Sequence, residues 1–501
     1  MQHMYGPLFA AGHGYLADNY YRMRRQGLDA AYRYAKRFKN LDGAFYHDVT
    51  DRYGRGADYD SDNCTPSPQL AMAMWHYYRY TGDEAFLRET VLPVMIGAGR
   101  LYLSLLHKEE DGLYHLSGTT AYEGNPPCRD AITDMATIRV LFPVLREYDA
   151  ERREKYDDVL AHLPDFIAVP LENVDWDGDV FTFGIGAGEK PLADNGVLAY
   201  GRDDEGRPRR RSYGDPACDK GGYGFPDVEL APVYPSGLVG LAQKDTLLFQ
   251  RLHNQLMLHP VVHGCMHWCM VPLYMARMGM ANKLPAYLRE FLSEWQVFPN
   301  GFDGDGPAGA RYARERLCYT GIYCVGSDFK TKTETFRFRY FDFETTPIAA
   351  HAASEALLQS YDGILRICPA TPAEDKVAFR LFAEGGFIVQ AEVTADSYVL
   401  TVDNLRGEPC LLKLPAYGSQ TPHVYRLDGD TAAAVQPVVR MEGNEQVLDL
   451  TGVFAKGQRL LLCSEEIEAL QLETPAPAQP NATMKECGKA TLGSPALPRR
   501  N

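Results

Sequence analysis

The sequence predicts a mainly α-helical first part followed by a β-sandwich, and three observations carry that expectation. From about Gln69 to Ser360 the apolar residues recur mostly at helical spacing. A proline-marked junction, YDGILRICPATPAEDK, closes the helical run. Beyond it, short apolar stretches stand between turns as strands do.

The helical stretches include LAMAMWHYYRY, FLRETVLPVMIGAGRLYLSLL and DMATIRVLFPVLREY, separated by turn-rich loops such as TGDE (81 to 84) and GNPPCRD (124 to 130). Paired helices on short turns suggest an α/α array, although periodicity alone does not say that the array closes into a ring. Between Leu171 and Pro226 the helical signal fades into DWDGDVFTFGIGAGEK and the charged RDDEGRPRRRSYGDP, an exposed excursion whose run Arg207 to Arg211 is a solvated face. Helices resume at Gly237. After Ser360 come FIVQAEV, YVLTV, CLLKL, VYRL, QVLDL and RLLLC. In the first of these Phe387, Val389, Ala391 and Val393 share one face, while Gln390 and Glu392 point the other way. The expected divisions are a helical domain over 1–365, a sandwich over 366–465 with a structural role, and a tail over 466–501 that lacks a patterned apolar face and is expected to be disordered.

At 501 residues the chain suggests two or three domains. Lys plus Arg is 51 against Asp plus Glu at 66, and the net charge of −15 argues against nucleic acid or an anionic membrane as partner. The 11 scattered cysteines, odd in number, point to reduced thiols in a cytoplasm. Residues 1 to 25 show no export signal and no stretch is apolar enough to span a bilayer, so a soluble protein is expected, with an extracellular one open if the true start lies upstream.

Two carboxylate loops, each followed by an amphipathic helix, carry the chemistry. The first, SGTTAYEGNPPCRDAITDMATIRVLF, holds Glu123 ahead of a helix starting near Asp134. The second, FDFETTPIAAHAASEALLQSYDG, holds Glu344 just before Pro347, a residue suited to a first helical turn, with Thr346 as the expected N-cap. Hydrolysis of a sugar acetal needs such a pair, one group to protonate the leaving oxygen and one to help activate water.

The order and wording of these segments resemble glycoside hydrolase family 95, the α-L-fucosidase and α-L-galactosidase family. The match runs from Pro7-Leu8-Phe9 through GAFYHDVTD (Gly43 to Asp51), similar to a histidine-containing strand and turn of the family. It continues through Trp75, Tyr78 and Thr81-Gly82-Asp83, which follow the family's Trp-x-x-Tyr-x-x-Thr-Gly-Asp pattern. Glu123 falls where the family places its general acid. Glu344 falls where it has an aspartate, ahead of a helix ending Leu357-Leu358-Gln359-Ser360. The resemblance implies an (α/α)6 barrel of the six-hairpin type, no cofactor, and a carbohydrate substrate. It departs in three places: Glu344 is longer than aspartate by one methylene, Glu229 stands where many members have histidine, and a His-x-Asn-x-Asn segment expected upstream of Pro7 is not found in the six residues that precede it. A family member cut or started late, with weak turnover and a retained sugar cleft, is therefore the alternative to an active inverting exo-glycosidase acting on a terminal α-linked L-fucose-like residue.

Plainer readings stand beside each candidate. Glu123 alone is a loop carboxylate, and Glu344 can simply complement a helix dipole. His47, Asp62, Asn63, Trp75, Asn125 and Glu229 are substrate-binding candidates, but Asp62 and Asn63 suit a helix cap and Trp75 suits a core. His263, Cys265, His267 and Cys269 do not make a zinc site, because in a helix the His pair and the Cys pair face about 200° apart, so no metal is expected.

Overall fold

A computed structural model describes residues 2–47, 49–54, 56, 63–122, 127–170, 228–257, 269–295, 343–415, 421–428 and 431–466. It also describes the short strands Asp179–Phe181, Gly184–Ile185, Pro191–Leu192, Tyr200–Arg202, Pro208–Arg210, Lys485–Cys487 and Ala490–Leu492. Helices dominate up to Leu357, and strands follow.

The helices are bounded by the residues that favour such ends. Pro66 opens Pro66–Thr81, where a missing N–H costs nothing, and Gly82 at φ +66° closes it in the left-handed conformation, its N–H donating to the Tyr78 carbonyl. Asp83 then caps the next turn through the Phe86 N–H at 2.9 Å. Leu92–Leu105 is apolar on most sides because it lies inside a cluster shared with Asp18–Gln26, Leu28–Tyr34, Pro66–Thr81 and Ile132–Tyr148. A second cluster joins Leu247–Met257, Val271–Arg277, Leu284–Trp295 and Thr345–Leu357.

Helices also precede Gln69, at Gly6–Ala10, Asp18–Gln26 and Leu28–Tyr34. Among its described residues the segment expected to be a strand around His47 makes only the isolated antiparallel bridge Thr50↔Gly56. It threads between helices instead, with Ala44 N–H bonded to the Gly97 carbonyl, Phe45 N–H to that of Ala31 and Tyr46 N–H to Ser67 Oγ. Gly43, at φ +103°, makes this path passable, since a Cβ there would sit 2.2 Å from the Leu101 nitrogen. In the 171–226 excursion short strand pairs occur where none were expected, Ala168–Pro170 with Asp179–Phe181 and Tyr200–Arg202 with Pro208–Arg210. In the tail, Lys485–Cys487 pairs with Ala490–Leu492, so that stretch is not without structure.

The strands of the C-terminal part form two sheets over one core. The first has the order Leu358–Gln359, Ile364–Ile367, Leu411–Lys413, Glu445–Asp449, Val438–Glu442. The second has the order Val377–Ala383, Phe387–Val393, Tyr398–Asn404, Arg459–Cys463, His423–Asp428, Thr431–Ala434. Leu365, Ile367 and Leu412 from one sheet meet Val389, Val402 and Leu460 from the other. Phe387, Val389, Ala391 and Val393 are buried, while Gln390 and Glu392 remain partly exposed, the alternation that a one-sided strand requires.

Polar pairs tie the helices to one another and to the sheets. Arg277 donates Nε and Nη2 to the two oxygens of Glu355, each at 2.8 Å, and Nη1 to the Val233 carbonyl at 3.0 Å. Its guanidinium also lies 4.0 Å from the Tyr361 ring centroid. Burial opposes ionisation of Glu355, but Arg277 and His351 outweigh it and hold the carboxyl down to about 2. His76 Nδ1 lies 2.6 Å from Glu384, and Arg406 donates to the Arg79 carbonyl at 2.9 Å.

Glu355→Gln is predicted to destabilise the chain by about 3–5 kcal/mol, because it leaves the Arg277 charge buried and unpaired. The pair Arg277→Met with Glu355→Leu should cost clearly less than the single change. Urea unfolding of both variants checks this, and equal losses would contradict it.

Candidate active site

The loop-bearing end of the helical part is organised by the starts of three helices and one short turn. At the first, Asn63 Oδ1 accepts from Thr65 N at 3.2 Å and Thr65 Oγ1 at 2.7 Å, a cap-like arrangement just ahead of Pro66–Thr81. The Tyr46–Ser67 bond brings the strand-like segment, and with it His47, to the same helix start. His47 is buried at 4% exposure, its ring edge-on to Tyr34 at 4.1 Å, and Gly56 lies against it so closely that a Cβ would fall 2.0 Å from the imidazole. Its own loop therefore covers the ring.

At the second start, the hairpin Tyr114–Thr120 and Pro127–Arg129 leads into Ile132–Tyr148. The pairings Thr119↔Cys128 and Thr120↔Pro127 close the hairpin on both sides of residues 121–126. Asp134, with no solvent exposure, accepts from Thr119 Oγ1 at 2.8 Å, Tyr102 Oη at 2.9 Å and Cys64 Sγ at 3.3 Å. Thr133 Oγ1 bonds the Ala121 carbonyl at 3.0 Å. The loop's departure is thus tied to the helix that follows it. Burial raises the Asp134 carboxyl to about 6, with the three donors working in the opposite direction.

The short turn Val228–Leu230 buries Glu229 completely. Val228 packs with Ala121, Cys128 and Ala131, so Glu229 sits beside the described end of that hairpin. At the third helix start, Glu344 is itself the N-cap of Thr345–Leu357, its carbonyl accepting from Ile348 N at 3.0 Å. The expected cap, Thr346, lies inside the helix and Pro347 is its third residue, a shift of the usual size for a helix end. Glu344 remains partly exposed, and the dipole of this helix favours negative charge there. Ile348, Ile132 and Leu230 share one apolar cluster, which brings the second and third starts and the short turn together.

Glu123, Asn125 and Asp62 lie outside the described residues, as do His263, Cys265 and His267; Cys269 is buried. Trp75 is placed away from this end. It stands about 14 Å along its helix from Pro66 at 1.5 Å per residue, packed on Tyr78 and Tyr148, so its position is that of a core-packing residue rather than a sugar platform. A cavity of about 90 Å³ runs from Gln69 and Met72, within two turns of Pro66, to Arg277, Glu355, Tyr361 and Glu384 at the junction with the sheets. Asp134 is the residue that the sequence reading missed as more than a helix start. An acidic residue in a first turn ordinarily faces solvent, and its two remote donors are far away in sequence.

Among the described residues no group of three or more His, Cys, Asp or Glu side chains could hold a metal ion, and no helix is long and apolar enough to cross a membrane. Cys64, Cys128, Cys269, Cys368, Cys410 and Cys463 are buried and unbridged.

Residues 12–160 match the model of the glycosyl hydrolase family 95 catalytic domain, the segment that contains the first carboxylate loop. Among solved structures the chain is similar to a protein described as a kojibiose phosphorylase from human microbiome, at 12% identity and a TM-score of 0.47, over 89% of this chain and 57% of that one. The chain thus spans little more than half the length of that protein. The sequence has no match among curated proteins.

Asp134→Asn is predicted to change the pH dependence of stability. The folded state holds the Asp134 proton at about 6 against an ordinary 3.8, so it binds more protons than the unfolded chain in that window. Its contribution is greatest below the unfolded value and falls as pH rises to about 6, by on the order of 3 kcal/mol. The stability difference between wild type and Asp134→Asn should therefore shift between pH 4 and 6.5 and be flat above. A constant difference across that range in urea titrations would contradict it.

Proposed function

We propose that this chain, with its family 95-type catalytic segment, is an inverting glycoside hydrolase that removes a terminal α-linked L-fucose-like residue from a glycan. The helical domain (1–365) would then close as an (α/α)6 barrel carrying the site at its loop end, with the sandwich (366–465) packed against it. The observation that carries this reading is that Asp134 ties the hairpin flanking residues 121–126 to two helix starts, with Glu229 in a turn packed on that hairpin and Glu344 capping a helix of the adjoining apolar cluster.

In this reading Glu123 gives its proton to the leaving oxygen as the glycosidic bond breaks. Water attacks the anomeric carbon from the opposite face and loses its proton to a base. Glu344, kept ionised by its helix terminus, polarises the group that activates the water. Asn63 and Glu229 border the sugar subsite and His47 backs it, while Asp62 and Asn125 contribute from the adjoining loops. A carbohydrate substrate also suits a chain with net charge −15 better than a polyanion would.

Release of monosaccharide from a panel of aryl α-glycosides, with and without phosphate, tests the reading. Phosphate-independent release from the α-L-fucoside or α-L-galactoside is expected. Release only with phosphate would reassign the reaction to phosphorolysis, and binding without release would leave a glycan-binding cleft. With the active substrate, Glu123→Gln should lower turnover by about 10²–10⁴-fold with little change in binding, since it removes proton transfer and keeps the shape. An unaltered rate would move the acid role to another residue.

A further inference from the structure

At the base of the hairpin that carries the first carboxylate loop, His115 stands between two aspartates. Its Nδ1 is 2.6 Å from Asp130 Oδ2 and its Nε2 is 2.9 Å from Asp111 Oδ2. A carboxylate can only accept, and a neutral imidazole has one N–H, so a neutral ring would turn one nitrogen lone pair toward a carboxylate oxygen. Only the imidazolium donates to both. The His115 and Asp130 side chains are 8% and 6% exposed, which shields the contact from solvent screening.

Asp130 is the residue that needs holding. Its φ is +56°, a left-handed conformation that costs a non-glycine residue energy unless its surroundings impose it. It joins the end of the hairpin to the helix Ile132–Tyr148. Its N–H bonds the Leu116 carbonyl at 2.8 Å, its Oδ1 accepts from Leu116 N at 3.0 Å, and His115 takes Oδ2. With the third contact gone, the carboxylate keeps Arg129, 3.8 Å away, as its charged neighbour but loses its one charged hydrogen-bond donor, and the strained junction loses one of its three hydrogen-bonded ties.

The other charged groups facing this site come from each neighbouring element. Glu109 precedes the hairpin strand and pairs with Arg129 at 3.5 Å, Arg129 lies 3.8 Å from Asp130, and Arg139 on the following helix feels the Asp130 charge. His107 is the cross-strand neighbour of His115. Burial alone would lower the pKa of His115, but the bonds to Asp130 and Asp111 and the charges of Asp130 and Glu109 more than offset it, and the value is raised from 6.5.

We propose that His115 is a proton-gated positioning residue: as the imidazolium it bridges Asp111 and Asp130 and fixes both strands of the hairpin that presents loop 121–126, and on deprotonation it lets go of one aspartate and loosens that hairpin. For activity this rests on the glycosidase reading above, because loosening then misplaces Glu123. The latch itself does not depend on that reading. The sign follows from linkage: a raised histidine pKa gives stabilisation that is fully present below the unfolded value and is lost as pH rises through the folded one.

The test combines ring NMR of His115 with hydrogen exchange of the amides of residues 116–120 and 128–131 between pH 6 and 9, corrected for intrinsic exchange. In the wild type, protection of these amides should fall by about 10-fold as His115 titrates, and His115→Gln should show low protection with no such step. Asp111→Asn, a change at an exposed residue, should move the step to lower pH while leaving the fold intact, which keeps the test decisive if His115→Gln does not fold. A neutral His115 ring at pH 6, or protection unchanged from pH 6 to 9 in the wild type, would overturn the proposal whether or not the chain hydrolyses any glycoside. If it does, the alkaline limb of kcat should shift with Asp111→Asn in step with the exchange midpoint.

Discussion

Asp134 has no exposed surface and accepts from Thr119 on the hairpin, Tyr102 on Leu92–Leu105 and Cys64 on the approach to Pro66–Thr81. A buried carboxylate without partners is costly, so these three segments are obliged to converge on it. Their convergence brings the strand Tyr114–Thr120 to the approach of the helix that Asn63 precedes. The turn Val228–Leu230, which buries Glu229, packs on the same hairpin through Ala121, Cys128 and Ala131. The hairpin, the approach to Pro66–Thr81 and the helix Leu92–Leu105 thus depend on one buried polar hub.

The junction with the sheets is built on the same logic. Arg277 and Glu355 satisfy each other bidentately, Gln359 Nε2 bonds the Ala276 carbonyl at 2.8 Å, and Arg366 joins Asp362 to Glu445. Such pairs add little net stability over apolar packing but penalise any arrangement that separates the partners. They fix how the last helix, Thr345–Leu357, stands on the sheets. Since Glu344 caps that helix at its other end, the junction also sets the direction in which Glu344 is offered.

Much of this was legible in the sequence wherever local chemistry decides the structure. Pro66 and Gly82 bound a helix for reasons internal to those residues, and the Phe387 to Val393 alternation follows from the pleat and one buried face. The helix after Glu344 was legible as an element, although its cap was placed two residues late, at Thr346. What was not legible is long-range. Asp134 finds Cys64 and Tyr102 at sequence separations of 70 and 32, and nothing local announces them. The His47 segment was expected to be a strand only from its resemblance to the family's, but its backbone bonds go to helices. The short strand pairs between 168 and 210 span two or three residues each, too few for any periodicity to appear.

The central claim is that Glu123 and Glu344 face one sugar-binding cleft at the loop end of the helical array. A crystal structure of the Glu123→Gln chain with a bound terminal α-L-fucoside tests it most directly. The account predicts the sugar between the two side chains, with the carboxyl positions of residues 123 and 344, or residue 123 and the water-activating group, roughly 6.5–9.5 Å apart and room for a water opposite the leaving oxygen. A sugar bound elsewhere, or the two side chains on opposite surfaces, would contradict it.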